Sequence, residues 1–502
     1  MTNSQSYNLQ VDKVYTSKKE ILSMKFSKKM IVYGMVALCL GITACTSSMQ
    51  AMENVADKND VVETIEVKKI KEEVLEEAQV QGVNTILLEL EGGTQDINIV
   101  EVSEQGSNVR KFRLEAHIDG RWQSIYTNDL IEGYHMCVLE NTVTTDAIRL
   151  VVEEEAAPVT ITSMSARYLE SVKRDKPFTS TAYLSKNYYE HDWDEIDSNN
   201  FASLTDIIMI GNFSFNNKGE FIVIEHDASG LDTTPHEWNS EYAKANFPVW
   251  KEKITKQLDT NANVWVSITC YKNEPNGAPN GQTDVFHDPK IREKFLCDLV
   301  KFAKEYNIAG YDIDWEYPGT ASQWQDYNNL ILEAAKLFEG NGIMLSSAQA
   351  TGSGLSLESL NVLDRINIMA YDNYATTKNH STFYNSAVKI VKEFKNKGIS
   401  PDKLILGLPY YGVKVDSYFE QWDYKHIYNQ MVDANEYDPG CNLYGGWGFN
   451  GPNLIRDKVV YAIEQEIGGV FCWQMKNDIK DFSSRDSLAG TTSRTIERFI
   501  AE

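Results

Sequence analysis

Three acidic residues fall at every second position in Asp312-Ile313-Asp314-Trp315-Glu316. On a β-strand, alternate side chains project to one face. The three acids then share a face, while Tyr311, Ile313, Trp315 and Tyr317 share the other. Same-face neighbours lie roughly 6–7 Å apart along a strand. Carboxyl groups that close, withdrawn from water, repel as anions, so at least one holds its proton to higher pH. A carboxylic acid still protonated near neutrality is what a glycosidic leaving group needs. The same spacing also fits a buried hydrogen-bond cluster or a divalent cation site. Calcium, however, usually draws its ligands from a loop, and no histidine cluster accompanies these acids.

The elements around this strand say which way it faces. Candidate strands are Thr181–Leu184, Ile207–Ile210, Val264–Ile268, Gly310–Trp315, Ile343–Ser347, Ile366–Ala370, Leu404–Gly407 and Gly469–Trp473. Amphipathic runs such as Ile291–Tyr306 and Trp324–Phe338 lie between them. Strands alternating with helices predict a parallel sheet. Eight such units without a Gly-rich dinucleotide loop predict closure into a (β/α)8 barrel over residues 176–502. The outer face of a barrel strand packs on helices and must be apolar, so the acids point inward. Glu316 falls at the C-terminal end of its strand, where barrel active sites form.

Upstream the pattern changes. Short candidate strands at Ile86–Leu90, Ile97–Val102, Phe112–Ala116, Trp122–Tyr126, Ala147–Val152 and Ile161–Leu169 are separated by turn residues. They predict a small antiparallel β-sandwich over residues 80–172. Within it, Asp119-Gly120 between two such runs is a hairpin signature. Residues 46–79 read as a polar linker with one short helix. Residues 1–45 read as a signal segment: basic Lys25, Lys28 and Lys29, an apolar run from Met30 to Ile42 too short to span a bilayer, then Thr43-Ala44-Cys45. The fold class expected is therefore α/β, a barrel preceded by a sandwich.

Composition excludes some partners. The formal net charge is -24, with 72 acidic against 48 basic residues. That argues against nucleic acid, whose phosphates need Lys and Arg surfaces. It suits a neutral or cationic ligand, or simply a solvated acidic surface. Cys137, Cys270, Cys297, Cys441 and Cys472 are scattered and form no CxxC pair, so neither zinc nor a disulfide framework is suggested.

The motif Gly310, Asp312, Asp314 and Glu316, followed by Tyr317-Pro318, resembles the Asp-Gly-x-Asp-x-Asp-x-Glu of glycoside hydrolase family 18, the chitinase family. Met369-Ala370-Tyr371-Asp372 is similar to that family's sixth strand end, Leu406 to Gly412 to its seventh, and Gly468 to Trp473 to its eighth. The resemblance implies hydrolysis of glycans containing N-acetylglucosamine with retention, in which the sugar's own 2-acetamido oxygen attacks the anomeric carbon. It implies Glu316 as acid and then base, Asp314 as the group orienting the acetamide, Asp312 tuning Asp314, and Tyr371 donating a hydrogen bond. It implies substrate contacts from Trp473 beneath the sugar ring and from Asp372, Tyr183, Phe213, Tyr410 and Met369. No cofactor is implied, and a monomer is expected.

Departures from that pattern are informative. The motif's first acid is Ala309 here, and the usual Ser-x-Gly-Gly end of the third strand reads Ser267-Ile268-Thr269-Cys270. The segment between Gly412 and Gly468 is too short for a large inserted wall, so an open, shallow groove is expected. Residues 84–168 resemble galactose-binding-like (discoidin) sandwiches, which implies a glycan-binding or a spacer role. Ala44-Cys45 resembles a bacterial lipobox, which implies an acylated Cys45 and a membrane-anchored envelope lipoprotein. Chitin, the chitobiose core of N-glycans, and binding without turnover all remain open as readings.

Overall fold

The computed structural model describes residues 85–186, 204–216, 218–226, 232–257, 261–269, 283–351, 353–373 and 378–501. The expected signal segment with Cys45, the linker 46–79 and Cys270 lie outside them.

The described residues begin with β1 (Thr85–Glu89), β2 (Gln95–Glu104), β3 (Val109–Ile118), β4 (Arg121–Asn128), β5 (Tyr134–Thr145), β6 (Ala147–Glu155) and β7 (Ile161–Arg167). One antiparallel sheet runs β1-β6-β3-β4 and a second β5-β2-β7. Ile97, Val102, Phe112, Leu114, Leu139 and Leu150 from both sheets pack into one core, so the unit is a sandwich. Asp119 and Gly120 both take positive φ, 51° and 74°, in the two-residue turn that pairs Ile118 with Arg121. That is the turn an Asp-Gly pair favours, because its twist matches that of the flanking strands.

The strand that sequence pattern misses is β5. His135 to Leu139 are all buried, so simple alternation of polar and apolar residues is absent. Cys137 and Leu139 face the sandwich core, while Met136 and Val138 face the core of the next unit. A strand covered on both sides loses the period-2 signal that marks a half-exposed one.

The next unit is the barrel. Its strands are β8 (Thr179–Ser185), β9 (Asp206–Ile210), β13 (Asn263–Thr269), β14 (Gly310–Asp314), β15 (Met344–Gln349), β16 (Arg365–Ile368), β17 (Leu404–Pro409) and β22 (Gly469–Trp473). They close in the order β13-β14-β15-β16-β17-β22-β8-β9, with every pair parallel. Each coincides with a strand expected from the sequence. A small sheet, β10 (Phe213–Phe215), β11 (Phe221–His226) and β12 (Asp232–Glu237), follows β9. After it come the helices α1 (Glu241–Gln257), α2 (Pro289–Tyr306), α3 (Ala321–Glu339), α4 (Leu357–Val362) and α5 (Lys389–Asn396).

The outer face of β14 is fixed by two of these helices. The Tyr311 hydroxyl donates to the Leu299 carbonyl of α2 at 2.7 Å, and its ring lies 5.5 Å from Phe338 of α3. Trp315 lies 5.1 Å from Tyr327, also on α3. Helix α2 is itself set locally: Asp288 caps its N-terminus by accepting from the Lys290 amide, Pro289 opens it, and left-handed Asn307 ends it. With the aromatic face anchored outward, pleat geometry sends Asp312 and Asp314 inward.

Between β17 and β22 stand β18 (Tyr411–Lys414), β19 (Ser417–Asp423), α6 (Tyr424–Ala434), β20 (Leu443–Tyr444), β21 (Trp447–Gly448) and α7 (Pro452–Glu464). The strands form a four-stranded sheet in the order β19-β18-β21-β20. The segment too short for a large wall thus builds a small one. Helix α8 (Leu488–Phe499) closes the chain.

Sandwich and barrel belong to one compact unit. Val172 pairs with Ile500, its amide donating to Phe499 at 2.8 Å, so the connection expected to be a boundary is tied to the C-terminus. At the centre of their junction lies Asp457 of α7, fully buried. It accepts from the Tyr126 hydroxyl, from the Val138 amide at 2.8 Å, and lies 2.9 Å from His135 Nε2. Removing that carboxylate leaves the buried Val138 amide without its acceptor, and the Tyr126 hydroxyl and His135 Nε2, 3.2 Å apart, without the charge both face. Asp457→Ala is therefore expected to destabilise the protein by about 3–5 kcal/mol. Urea denaturation measures this, and a loss under about 1 kcal/mol would contradict the account.

Candidate active site

The site is built in layers inside the barrel. Register places Ser267 of β13, Asp312 of β14 and Ser346 of β15 side by side. Asp312 is wholly buried and accepts four hydrogen bonds. Ser346 Oγ donates to Oδ1 at 2.6 Å and Asn367 Nδ2 at 3.0 Å. The Tyr183 hydroxyl donates to Oδ2 at 2.9 Å and Ser267 Oγ at 3.3 Å. Burial pushes the pKa of Asp312 up, and these four donors pull against it.

One pleat higher stands Asp314, almost completely buried. Its pKa is driven well above the carboxylate range by burial first, then by the charges of Glu316 and Asp312. Among the described residues no N–H or hydroxyl donor reaches its Oδ1, and the side chain bonds to Glu316. Glu316 is also raised, chiefly by burial, against donors on Asp314 and Tyr317. Two adjoining carboxyl groups, both shifted upward, titrate as a pair whose last proton is held above the ordinary carboxylate range. Tyr371 stands beside them. Burial, then the charge of Glu316, raises its phenol pKa, so it remains a hydrogen-bond donor.

Above these groups opens a cleft of about 210 Å³. Asp314, Glu316, Tyr371 and Asp372 supply its polar lining, and Tyr183, Phe471 and Trp473 its aromatic lining. Trp473 is partly exposed, and its ring is held edge-on by Tyr183 at 5.5 Å. Asp372 Oδ1 accepts from the Tyr411 hydroxyl at 2.7 Å. Met369 and Ala348 complete the barrel's contribution, and Gln421 reaches in from β19 of the small sheet. The groove is thus not bounded by the barrel rim alone, as the open form expected from sequence would be.

Gly407 makes room for this arrangement. A Cβ there would come within 2.5 Å of the Ile368 carbonyl, 2.7 Å of Phe471 and 2.9 Å of Tyr371. Gly407→Ala is expected to cost about 1–3 kcal/mol of stability through overpacking and to displace the Tyr371 ring. Thermal melting checks the first and kcat/KM the second. A variant as active and as stable as the parent would remove Gly407 from the site.

Of the residues expected to line the site, Asp312, Asp314, Glu316, Tyr371, Asp372, Trp473, Tyr183 and Met369 come together. Phe213 and Tyr410 do not. Inward positions on β17 are Ile405 and Gly407, so alternation turns Tyr410 outward. It is fully buried, with its hydroxyl 3.0 Å from Thr492 of α8. On β9 the inward residues are Ile208 and Ile210. The chain then turns at Gly211, φ 105°, and Phe213 enters the small sheet. There it packs on Phe247 and Phe302 at 5.8 and 6.2 Å, away from the cleft. Sequence reasoning missed Ser267, Ser346 and Asn367. Their signal was present, as polar residues at inward positions of otherwise apolar strands. Gln421 carried no signal.

A closed parallel barrel with two adjoining carboxyl groups at its C-terminal mouth is an arrangement that suits a glycosidase. The family model described as Glycosyl hydrolases family 18 matches residues 181–478, and the chain belongs to that family. Chitinase 1 of Aphanocladium album is 28% identical over 317 residues, covering 52% of this chain and 71% of that protein. Endochitinase 1 of Metarhizium robertsii is 24% identical over 401 residues, covering 68% and 88%. Among solved structures, a family 18 chitinase of Flavobacterium johnsoniae shares the fold at a TM-score of 0.51 and 21% identity, over 64% of this chain and 94% of that one.

Proposed function

We propose that this enzyme hydrolyses β-1,4 linkages beside N-acetylglucosamine in chitin or chitooligosaccharides, with Glu316 as acid and base. The observation that carries the reading is the Asp314–Glu316 pair: a buried Asp314 beside a partly buried Glu316, both with raised pKa, and an Asp314 oxygen that no donor among the described residues reaches. A 2-acetamido group offers what that oxygen lacks, an N–H donor. In the first step the acetamido oxygen attacks the anomeric carbon while the glycosidic bond breaks. Glu316 gives its proton to the departing oxygen. Positive charge developing on the forming ring favours an ionised Asp314, so the proton of the pair sits on Glu316 as it is transferred. In the second step water adds to the anomeric carbon, Glu316 takes a proton from it, and the acetamide is restored. The Tyr371 hydroxyl donates to the acetamido group, and Trp473 lies beneath the sugar.

The chitinase names of the relatives favour chitin over N-glycan cores. The test is incubation with chitohexaose and with a high-mannose glycoprotein, products read by mass spectrometry and the first-formed anomer by NMR. Shorter chitooligosaccharides released as β-anomers are expected. Release of whole N-glycans alone would move the substrate to glycoproteins, and binding without turnover of either would end the hydrolase reading.

The lipobox-like Ile42-Thr43-Ala44-Cys45 supports placing the enzyme at the outer face of a bacterial membrane, held by an acylated Cys45. Feeding cells an alkyne fatty acid should label the protein, and Cys45→Ser should abolish the label.

A further inference from the structure

The residue that presents Asp372 to the cleft is itself held in an unusual way. Asp372 has φ 58°, in the left-handed region that few residues with a side chain occupy. Its partner is His380, from eight positions further along the chain and nearly fully buried. His380 Nδ1 lies 3.3 Å from the Asp372 amide, which donates to it, and 3.1 Å from Asp372 Oδ1. On the other side of the ring, Nε2 lies 3.3 Å from the Tyr411 carbonyl. A carbonyl can only accept, so Nε2 carries hydrogen. Nδ1 then serves Asp372 in either charge state: it accepts from the amide when the ring is neutral and donates to the carboxylate when it is protonated. The Tyr411 hydroxyl, from the residue whose carbonyl His380 grips, donates to the same Asp372 oxygen.

His380 is kept in place by its neighbours. Asn379 and Ser381, on either side of His380 in the chain, are buried polar residues. Asn379 Nδ2 donates to the Phe449 carbonyl at 2.6 Å, and Ser381 Oγ to the Ala370 carbonyl at 2.6 Å. Buried Lys458 of α7 donates to Ser381 Oγ at 2.7 Å. Ordering polar residues at this depth is unfavourable unless their hydrogen bonds are made. The segment is therefore a rigid mount for the imidazole.

We infer that His380 is a positioning residue: through Nδ1 it sets the backbone and carboxylate of Asp372, and so the affinity of the cleft for the sugar that Asp372 meets. This rests on the proposed reading of Asp372 as a sugar contact. The test measures kcat and KM on chitotetraose for His380→Asn, His380→Gln and His380→Ala, each alone and with Asp372→Ala. Asparagine places its amide where Nδ1 stands, and glutamine places its amide nearer Nε2. Positioning through Nδ1 predicts that His380→Asn stays close to the parent while His380→Gln raises KM about tenfold, the worth of one charge-assisted hydrogen bond. It also predicts little further change when His380→Gln is added to Asp372→Ala. A role in packing alone predicts the reverse order, because glutamine fills more of the imidazole volume. Glutamine equal to or better than asparagine, full additivity with Asp372→Ala, or no effect of Asp372→Ala would each overturn the inference. Melting temperatures identify any variant that fails to fold, and the asparagine–glutamine pair then decides without His380→Ala. Turnover by the parent that depends on Glu316 tests the functional reading separately.

Discussion

Glu316→Gln is expected to lower kcat on chitooligosaccharides by about a thousandfold or more, near the upper worth of a positioned acid, while substrate affinity stays close to the parent's. Glutamine keeps the shape and can accept and donate hydrogen bonds, but it has no proton to give to an alkoxide and cannot take one from water. Both chemical steps assigned to Glu316 fail together. The cleft, with Trp473, Tyr183 and Tyr371, is untouched, so the ground-state complex forms. Single-turnover kinetics give the first number and calorimetry with chitotetraose the second. A Glu316→Gln enzyme that retained a tenth of the parent's kcat would show that another group supplies the proton. Asp372, partly exposed at the cleft, would be the next carboxyl to examine.

The second large effect belongs to Asp314→Asn, expected to reduce kcat by about a hundredfold or more, as for loss of a preorganised group facing charge that develops in the transition state. The pH dependence distinguishes this from simple damage. On the proposed mechanism the parent's activity requires the last proton of the pair, and burial with mutual repulsion holds that proton above the ordinary carboxylate range. The alkaline limb of kcat/KM therefore lies at the pair's upper ionisation. In Asp314→Asn the neighbouring charge is gone, and the amide can donate to ionised Glu316. The Glu316 pKa falls, and the alkaline limb moves to lower pH.

Stability moves the other way. A carboxyl whose pKa is higher folded than unfolded binds more protons in the folded state. Its contribution is complete below the unfolded pKa and is lost as pH rises through the folded value. The parent thus becomes less stable across that window, and Asp314→Asn does not share the loss. The inactive variant should melt above the parent at pH 8 and lose that advantage by pH 4. An alkaline limb that stays in place, with no gain in melting temperature, would mean that Asp314 and Glu316 titrate independently.

Much of this arrangement is legible in the linear order of residues. Alternation in Tyr311 to Tyr317 separates the acids from the aromatic residues before any coordinate is known, because a pleat has period two. The eight strand positions follow from apolar runs of fitting length between helical ones, and the Asp119-Gly120 turn follows from the φ values only such residues take readily. Met369-Ala370-Tyr371-Asp372 and Gly468 to Trp473 mark two further strand ends at which the cleft is built.

Tertiary structure decided what alternation leaves open. Period two states that neighbours differ in face, but the resemblance alone brings Tyr410 and Phe213 to the cleft, and packing turns both away. The four donors of Asp312 come from β8, β13, β15 and β16, far apart in sequence and brought to one oxygen pair by barrel register. Gln421 lies on a strand of a small sheet whose pairing no local signal announces. His380 serves Asp372 from eight positions further along the chain, and β5 serves two cores at once. Local sequence encodes conformation and exposure over a few residues; which side chains meet is set by closure of the sheet and by what packs on it.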